Sequence, residues 1–189
     1  MIEYFNQIDT ELFLYLNSLH SPFFDKLMYF ISYNKLLMFG VIALLFGLSI
    51  KEYKKKFIGV LFFCLLAFGL SDSISTRIFK DGFKRLRPCH QPLIAKQVHL
   101  AGQNCWGGKF GFVSSHAANS FAIATFFWLL LRMKYSYIWL IFGHSTFISY
   151  SRIYLGKHYP LDLIFGAMLG CLLAYFCYFL TKKLVIKSH

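Results

Sequence analysis

Three short clusters hold the residues able to do chemistry. Lys80, Lys84, Arg85 and Arg87 come directly before Pro88. If a helix runs on through this stretch, Arg77, Lys80, Lys84 and Arg87 share one face at about 100° per residue, with Gly82 as the weak point. Such a face suits an anionic ligand. Taken alone, it equally suits solvated contact with anionic headgroups. The second cluster is Ser114-Ser115-His116, just before an apolar run. Serine is a good N-cap, and free N–H groups and hydroxyls at a helix start can take a phosphate. An ordinary capped helix is the plainer alternative. The third is Ser151-Arg152, then His158-Tyr159-Pro160-Leu161-Asp162. Pro160 suits the first turn of a helix, and residues four apart meet across one turn. A carboxylate on one imidazole nitrogen fixes the tautomer and frees the other. That is what a nucleophilic histidine requires.

These clusters must be positioned by apolar elements. The 189-residue chain is 57% apolar, 20% aromatic and 15% charged, against about 25% charged in soluble domains. Its net charge of +12 suits anionic lipid or phosphorylated substrates. The long apolar runs exclude nucleic acid as a partner. The fold class expected is all-α: a polytopic transmembrane helix bundle of about five spans, read as one membrane domain over residues 1–189.

Residues 3–19 read as an amphipathic helix lying on the membrane, and residues 22–33 as interfacial, so that 1–33 form an N-terminal interfacial region. Apolar runs at 34–50, 57–79, 115–131, 135–151 and 160–181 are the expected spans. The first residues, with Glu3, Asn6 and Asp9, lack the basic start of a signal peptide. Insertion is therefore expected to rely on the apolar runs. Basic clusters at 51–56, 132–134 and 182–187 fall on one side by alternation, which the positive-inside rule makes the cytoplasm. Residues 80–113 and 151–159 then share the opposite side. Four cations at 80–87 on that side call for an anionic ligand. Cys89 and Cys105 lie in the polar stretch. In an oxidising compartment they can form a disulfide; two unpaired thiols are the alternative.

The three clusters together resemble the signature of the type-2 phosphatidic acid phosphatase superfamily: Lys-x6-Arg-Pro, Pro-Ser-Gly-His, then Ser-Arg-x5-His-x3-Asp. Here they read KDGFKRLRP at 80–88, VSSH at 113–116 and SRIYLGKHYPLD at 151–162. Val113 replaces the usual Pro, and Ser115 the usual Gly.

The resemblance implies that Lys80, Arg87 and Arg152 hold phosphate oxygens, with Ser114, Ser115 and the His116 N–H completing the cradle. It implies that His158 attacks phosphorus and Asp162 orients it. His116 protonates the leaving oxygen and then activates water. No metal and no cofactor is expected. The implied substrate is a lipid phosphate or diphosphate: undecaprenyl diphosphate or lipid A first, phosphatidylglycerol phosphate or phosphatidic acid otherwise. The implied location is a bacterial inner membrane, with the site facing the periplasm. A non-catalytic protein that binds anionic lipid is the alternative of another class.

Several neighbours stay open at this stage. Lys84 and Arg85 reach either a second phosphate or headgroups. Asp72 and Arg77, five apart, either pair with each other or brace the site, the second being favoured, and His144 is expected to hydrogen-bond between helices. Gly166 and Gly170 form a GxxxG, which indicates close helix packing. Oligomeric state is not legible.

Overall fold

The computed structural model describes residues 2–105 and 107–187 and is all-helical among them, without strands. The N-terminal part is α1 (Ile2–Ser18), α2 (Pro22–Tyr33) and α3 (Lys35–Tyr53). Next comes α4 (Phe57–Ser73), running on through a π-helical segment (Ile74–Lys80) into the short turn α5 (Asp81–Phe83). After a long irregular loop come α6 (Ser115–Leu131), α7 (Leu140–Tyr154) and α8 (Pro160–Thr181). Local signals set the starts. Ser21 caps α2 ahead of Pro22, Asn34 Oδ1 accepts from Leu37 N–H at 2.9 Å, and Pro160 opens α8.

Two helical stretches are long and apolar enough to cross a membrane, Leu36–Phe83 and Pro160–Ile186. The first is interrupted by a 3₁₀ turn at Lys54–Lys56, where the chain folds back and Phe46 packs edge-on to Phe57. Ser115–Leu131 is a shorter apolar helix. The core joins α4, α6 and α8 through Phe63, Ala67, Ala122, Phe126, Ala174 and Cys177. Large apolar side chains such as Ile58, Phe62, Leu172 and Phe176 point outward. An outward apolar surface of this kind belongs against lipid.

The GxxxG close packing lies within the chain. A Cβ at Gly166 would stand 2.6 Å from Ser114 O, and one at Gly170 only 2.1 Å from Ala118 O. Helices α6 and α8 therefore touch backbone to backbone just below the start of α6.

The basic clusters gather at one end. Tyr53 Oη donates to Leu130 O at 2.8 Å, Lys56 Nζ to Ile186 O at 2.9 Å and Tyr135 Oη to Glu52 Oε1 at 2.8 Å. The loop after α5 lies at the other end, where Cys89 and Cys105 are joined as a disulfide.

One expectation needs correction. The helix does not carry Lys84 and Arg87 on the face of Lys80. It stops at Phe83, and Lys84 takes a left-handed conformation, φ 50°. Arg87 is extended because a residue before proline disfavours the helical region. Helix α1 turns one side to the rest of the protein. Asp9, Phe13 and Asn17 are buried at 2%, 0% and 1% exposure, while Phe5, Ile8 and Leu12 face outward. Glu3, Asn6, Gln7 and Glu11 are exposed as well, so the outward side carries both polar and apolar residues.

Candidate active site

Four segments converge at the end opposite the basic clusters. From the π-helical end of α4, Lys80 Nζ donates to Ser115 Oγ at 2.7 Å, and Ser75 Oγ donates to the same oxygen at 2.9 Å. Arg87 arrives on an extended strip: its N–H donates to Lys109 O at 2.9 Å, and Gly111 N–H to Arg85 O at 2.8 Å. Arg87 Nε donates to Phe110 O at 3.2 Å. Arg152, in the last turn of α7, donates to Ser32 Oγ and lies 5.4 Å from the Tyr33 ring.

His158 sits on the turn after α7. Gly156 takes φ 68° there, and the N–H groups of Lys157 and His158 bond back to Arg152 O at 2.9 and 3.3 Å. That turn sends His158 inward to 1% exposure.

Ser114 Oγ and Arg152 Nε are buried in this region without a hydrogen-bond partner among the described residues. Ser114 occupies the N-cap position of α6, yet its hydroxyl makes no cap bond. Buried polar atoms are normally satisfied, so orphaned ones beside a cationic cluster fit a ligand's oxygens. The electrostatics agree. Burial, then Arg87 and Arg152, hold the His158 imidazole well below its ordinary pKa, so it is neutral. Burial, then the same two arginines, lower Lys157 to about 8. Lys157 is 1% exposed, with Nζ donating to Asn104 O at 2.8 Å.

Asp162 is fully buried and lies 3.4 Å from His158 Nδ1, longer than a well-formed hydrogen bond. Its shorter contacts are elsewhere. Oδ2 accepts from Tyr159 N–H at 3.0 Å, closing the capping box of α8, and Oδ1 accepts from Arg85 at 2.8 Å. The His158 ring also bonds to the Gly111 backbone. A Cβ at Gly111 would lie 3.0 Å from Asp162 Oδ2, 3.3 Å from Arg87 Cγ and 3.5 Å from His158 Nδ1. A side chain there would press on Asp162 and Arg87, which would have to give by a few tenths of an ångström.

The sequence did not single out Gly111, Lys157 or Asp9, and left Arg85 open. Arg85 does not reach out to a phosphate or a headgroup. Its other nitrogen donates to Asp9 Oδ2 at 2.7 Å, and its guanidinium lies 4.1 Å over the Tyr159 ring. Lys84 is exposed. Asp9 and Asn17, eight apart around Phe13, carried a signal: two polar residues on one helical face in a chain poor in charge.

A cavity of about 260 Å³ opens beside His116, between α3, α4, α6 and α7. Asp72, Ser115, His116 and Asn119 line its polar part, and Val41, Phe68 and Ile123 its apolar part. Asp72 Oδ1 accepts from Asn119 Nδ2 at 2.9 Å, tying α4 to α6, while Arg77 is exposed. His144 lines the cavity and makes no side-chain hydrogen bond to a described residue, contrary to its expected role between helices.

The chain resembles known proteins over most of its length. A profile of the PAP2 superfamily matches residues 57–186. The lipid A 4'-phosphatase of Porphyromonas gingivalis is 34% identical over 177 residues, covering 94% of this chain and 74% of that protein. The lipid A 4'-phosphatase of Bacteroides thetaiotaomicron is 34% identical over 192 residues, covering 99% and 83%. The crystal structure of a transmembrane PAP2-type phosphatidylglycerolphosphate phosphatase from Bacillus subtilis superposes with a TM-score of 0.71 at 22% identity, covering 96% of this chain and 88% of that one. The chain belongs to the PAP2 superfamily. It is a membrane lipid phosphatase of that type.

Proposed function

We propose that this phosphatase hydrolyses lipid A phosphate or a polyprenyl diphosphate such as undecaprenyl diphosphate, through a phosphohistidine on His158. The observation that carries the reading is the pair of buried, unpartnered atoms, Ser114 Oγ and Arg152 Nε, beside a neutral, buried histidine. Lys80, Arg87 and Arg152 hold the phosphate oxygens, with Ser114, Ser115 and the start of α6. Fixed cations and N–H donors stabilise the charge that develops at phosphorus.

His158 Nδ1 faces Asp162, so Nε2 is free to attack. The N–P bond forms as the P–O bond to the lipid breaks, and His116 gives its proton to the leaving oxygen. His116 then takes a proton from water, which attacks phosphorus. The N–P bond breaks, and inorganic phosphate leaves.

The cavity beside His116 gives the lipid portion an apolar place next to the reacting group. Lipid A is the favoured substrate, on the strength of two relatives named lipid A 4'-phosphatase. Phosphatidylglycerol phosphate is the next choice, from the name of the structural neighbour.

The reading takes α3, α4, α6, α7 and α8 as five spans. The basic clusters near Glu52, Leu130 and Ile186 favour a cytoplasmic position for that end. The catalytic end then faces the periplasm of a bacterial inner membrane, where a Cys89–Cys105 disulfide is stable.

The test is phosphate release by purified protein in detergent containing EDTA. Lipid A, undecaprenyl diphosphate, phosphatidylglycerol phosphate and phosphatidic acid are compared. Release that survives EDTA and is fastest with lipid A is the expected result. No release above background from any of the four would overturn the reading and favour a lipid-binding protein.

A further inference from the structure

We infer that Asp9, on a helix outside the region matched by the family profile, is a positioning residue for His158, acting through Arg85 and Asp162. The inference rests on the histidine-phosphatase reading above.

The geometry is a closed clamp. One guanidinium serves two buried carboxylates: Arg85 donates through Nη1 to Asp162 Oδ1 at 2.8 Å and through Nη2 to Asp9 Oδ2 at 2.7 Å. The second oxygen of each carboxylate bonds the start of α8. Asp162 Oδ2 accepts from Tyr159 N–H at 3.0 Å, and Asp9 Oδ1 accepts from Leu161 N–H at 2.9 Å. Asp9 is 2% exposed and Asp162 0%. One turn along α1, Phe13 meets the Tyr159 ring edge-on at 5.3 Å, and Tyr159 in turn lies under Arg85.

The same face of α1 grips the chain on the other side of His158. Asn17 Nδ2 donates to Ile153 O at 3.1 Å and Tyr154 O at 2.9 Å. Asp9 and Asn17 thus hold the two ends of the segment that carries His158.

The chemistry assigns Asp9 a further task. Arg85 lies between Lys80 and Arg87 in the chain and would be a natural fourth cation for the phosphate. A planar fork satisfied on both prongs by carboxylates is not available for that. Asp9 therefore keeps Arg85 on Asp162. Held by Arg85, Asp162 keeps Oδ2 facing the His158 ring, 3.4 Å from Nδ1. Asn in place of Asp9 can still accept one bond but brings no charge, so Arg85 is held from one side only.

The experiment measures kcat and KM for lipid A in detergent with the wild type, Asp9→Asn, Arg85→Lys, the double variant and His158→Ala. Partners that orient a reacting group typically account for about 10–100-fold in activity. Asp9→Asn is expected to lower kcat by about that factor with KM within about threefold, because Asp9 does not contact Lys80, Arg87 or Arg152. Arg85→Lys keeps a charge but loses the fork and is expected to behave alike. The double variant is expected to be no slower than the slower single one. Thermal midpoints should stay close to that of the wild type.

Asp9→Asn with kcat within twofold, while the wild type works and His158→Ala does not, overturns the inference and leaves the phosphatase reading standing. A fall in thermal midpoint with kcat and KM changing together makes Asp9 a structural strut and also overturns it. An active His158→Ala overturns both.

Discussion

His158→Ala is expected to lower kcat on lipid A by at least about 10⁴-fold, the scale seen when a nucleophile is deleted from a concerted site, and to leave the protein folded. The imidazole is buried, and burial with Arg87 and Arg152 holds its pKa well below the ordinary value. The loop that holds it does not depend on the ring. The bonds from Lys157 and His158 N–H to Arg152 O are backbone bonds and survive the change, as does the left-handed turn at Gly156. Lys80, Arg87 and Arg152 also remain, so the variant should still bind substrate with KM near that of the wild type. Kinetics on detergent-purified protein, paired with a thermal melt, check both halves. A loss of less than tenfold would remove His158 from the role of nucleophile.

The second large effect is expected far from any charged group. Gly170→Ala would put a Cβ 2.1 Å from Ala118 O and 2.9 Å from Ala122 N. Both are backbone atoms and cannot swing aside. To reach the 3.0 Å that real contacts respect, α8 and α6 must part by about 0.9 Å. Overpacking costs about 1–3 kcal/mol, while the better helix propensity of Ala returns up to about 1, so destabilisation wins. The shift also moves Ser114, Ser115 and His116, at the start of α6, away from His158, at the start of α8. A misplacement of about 1 Å can lower a rate about 10²-fold. The expected result is a lowered melting temperature together with a kcat down by about that factor. Gly166→Ala, at 2.6 Å from Ser114 O, should act in the same direction. A Gly170→Ala protein of unchanged stability and rate would mean that α6 and α8 do not set the site.

The helices were legible because apolar runs bounded by charge and by Pro160, Ser114 and Asn34 need no tertiary information. The site was legible in part because its residues occur as short local patterns, His158 with Asp162 and Ser114 with His116. What escaped was non-local. Asp9 meets Arg85 and Leu161 across the fold, and nothing in the spacing of residues 3–19 says that this face turns inward. A helix over residues 3–19 was legible, but which of its residues turn inward was not. Gly111 escaped for a similar reason: its role is the space it leaves between Arg87, His158 and Asp162. The supposed cationic face of residues 77–87 failed on a local point, since the break at Lys84 depends on a left-handed turn that periodicity does not register.

The central claim is a covalent phosphate on His158, and trapping that intermediate tests it most directly. Wild-type protein turning over lipid A would be quenched within milliseconds in alkaline denaturant, digested and analysed by mass spectrometry. One phosphoryl group is expected on the peptide containing His158, stable in alkali and lost in acid, and absent from His158→Ala. Turnover with no adduct on that peptide, or with the phosphoryl group on another residue, would contradict it.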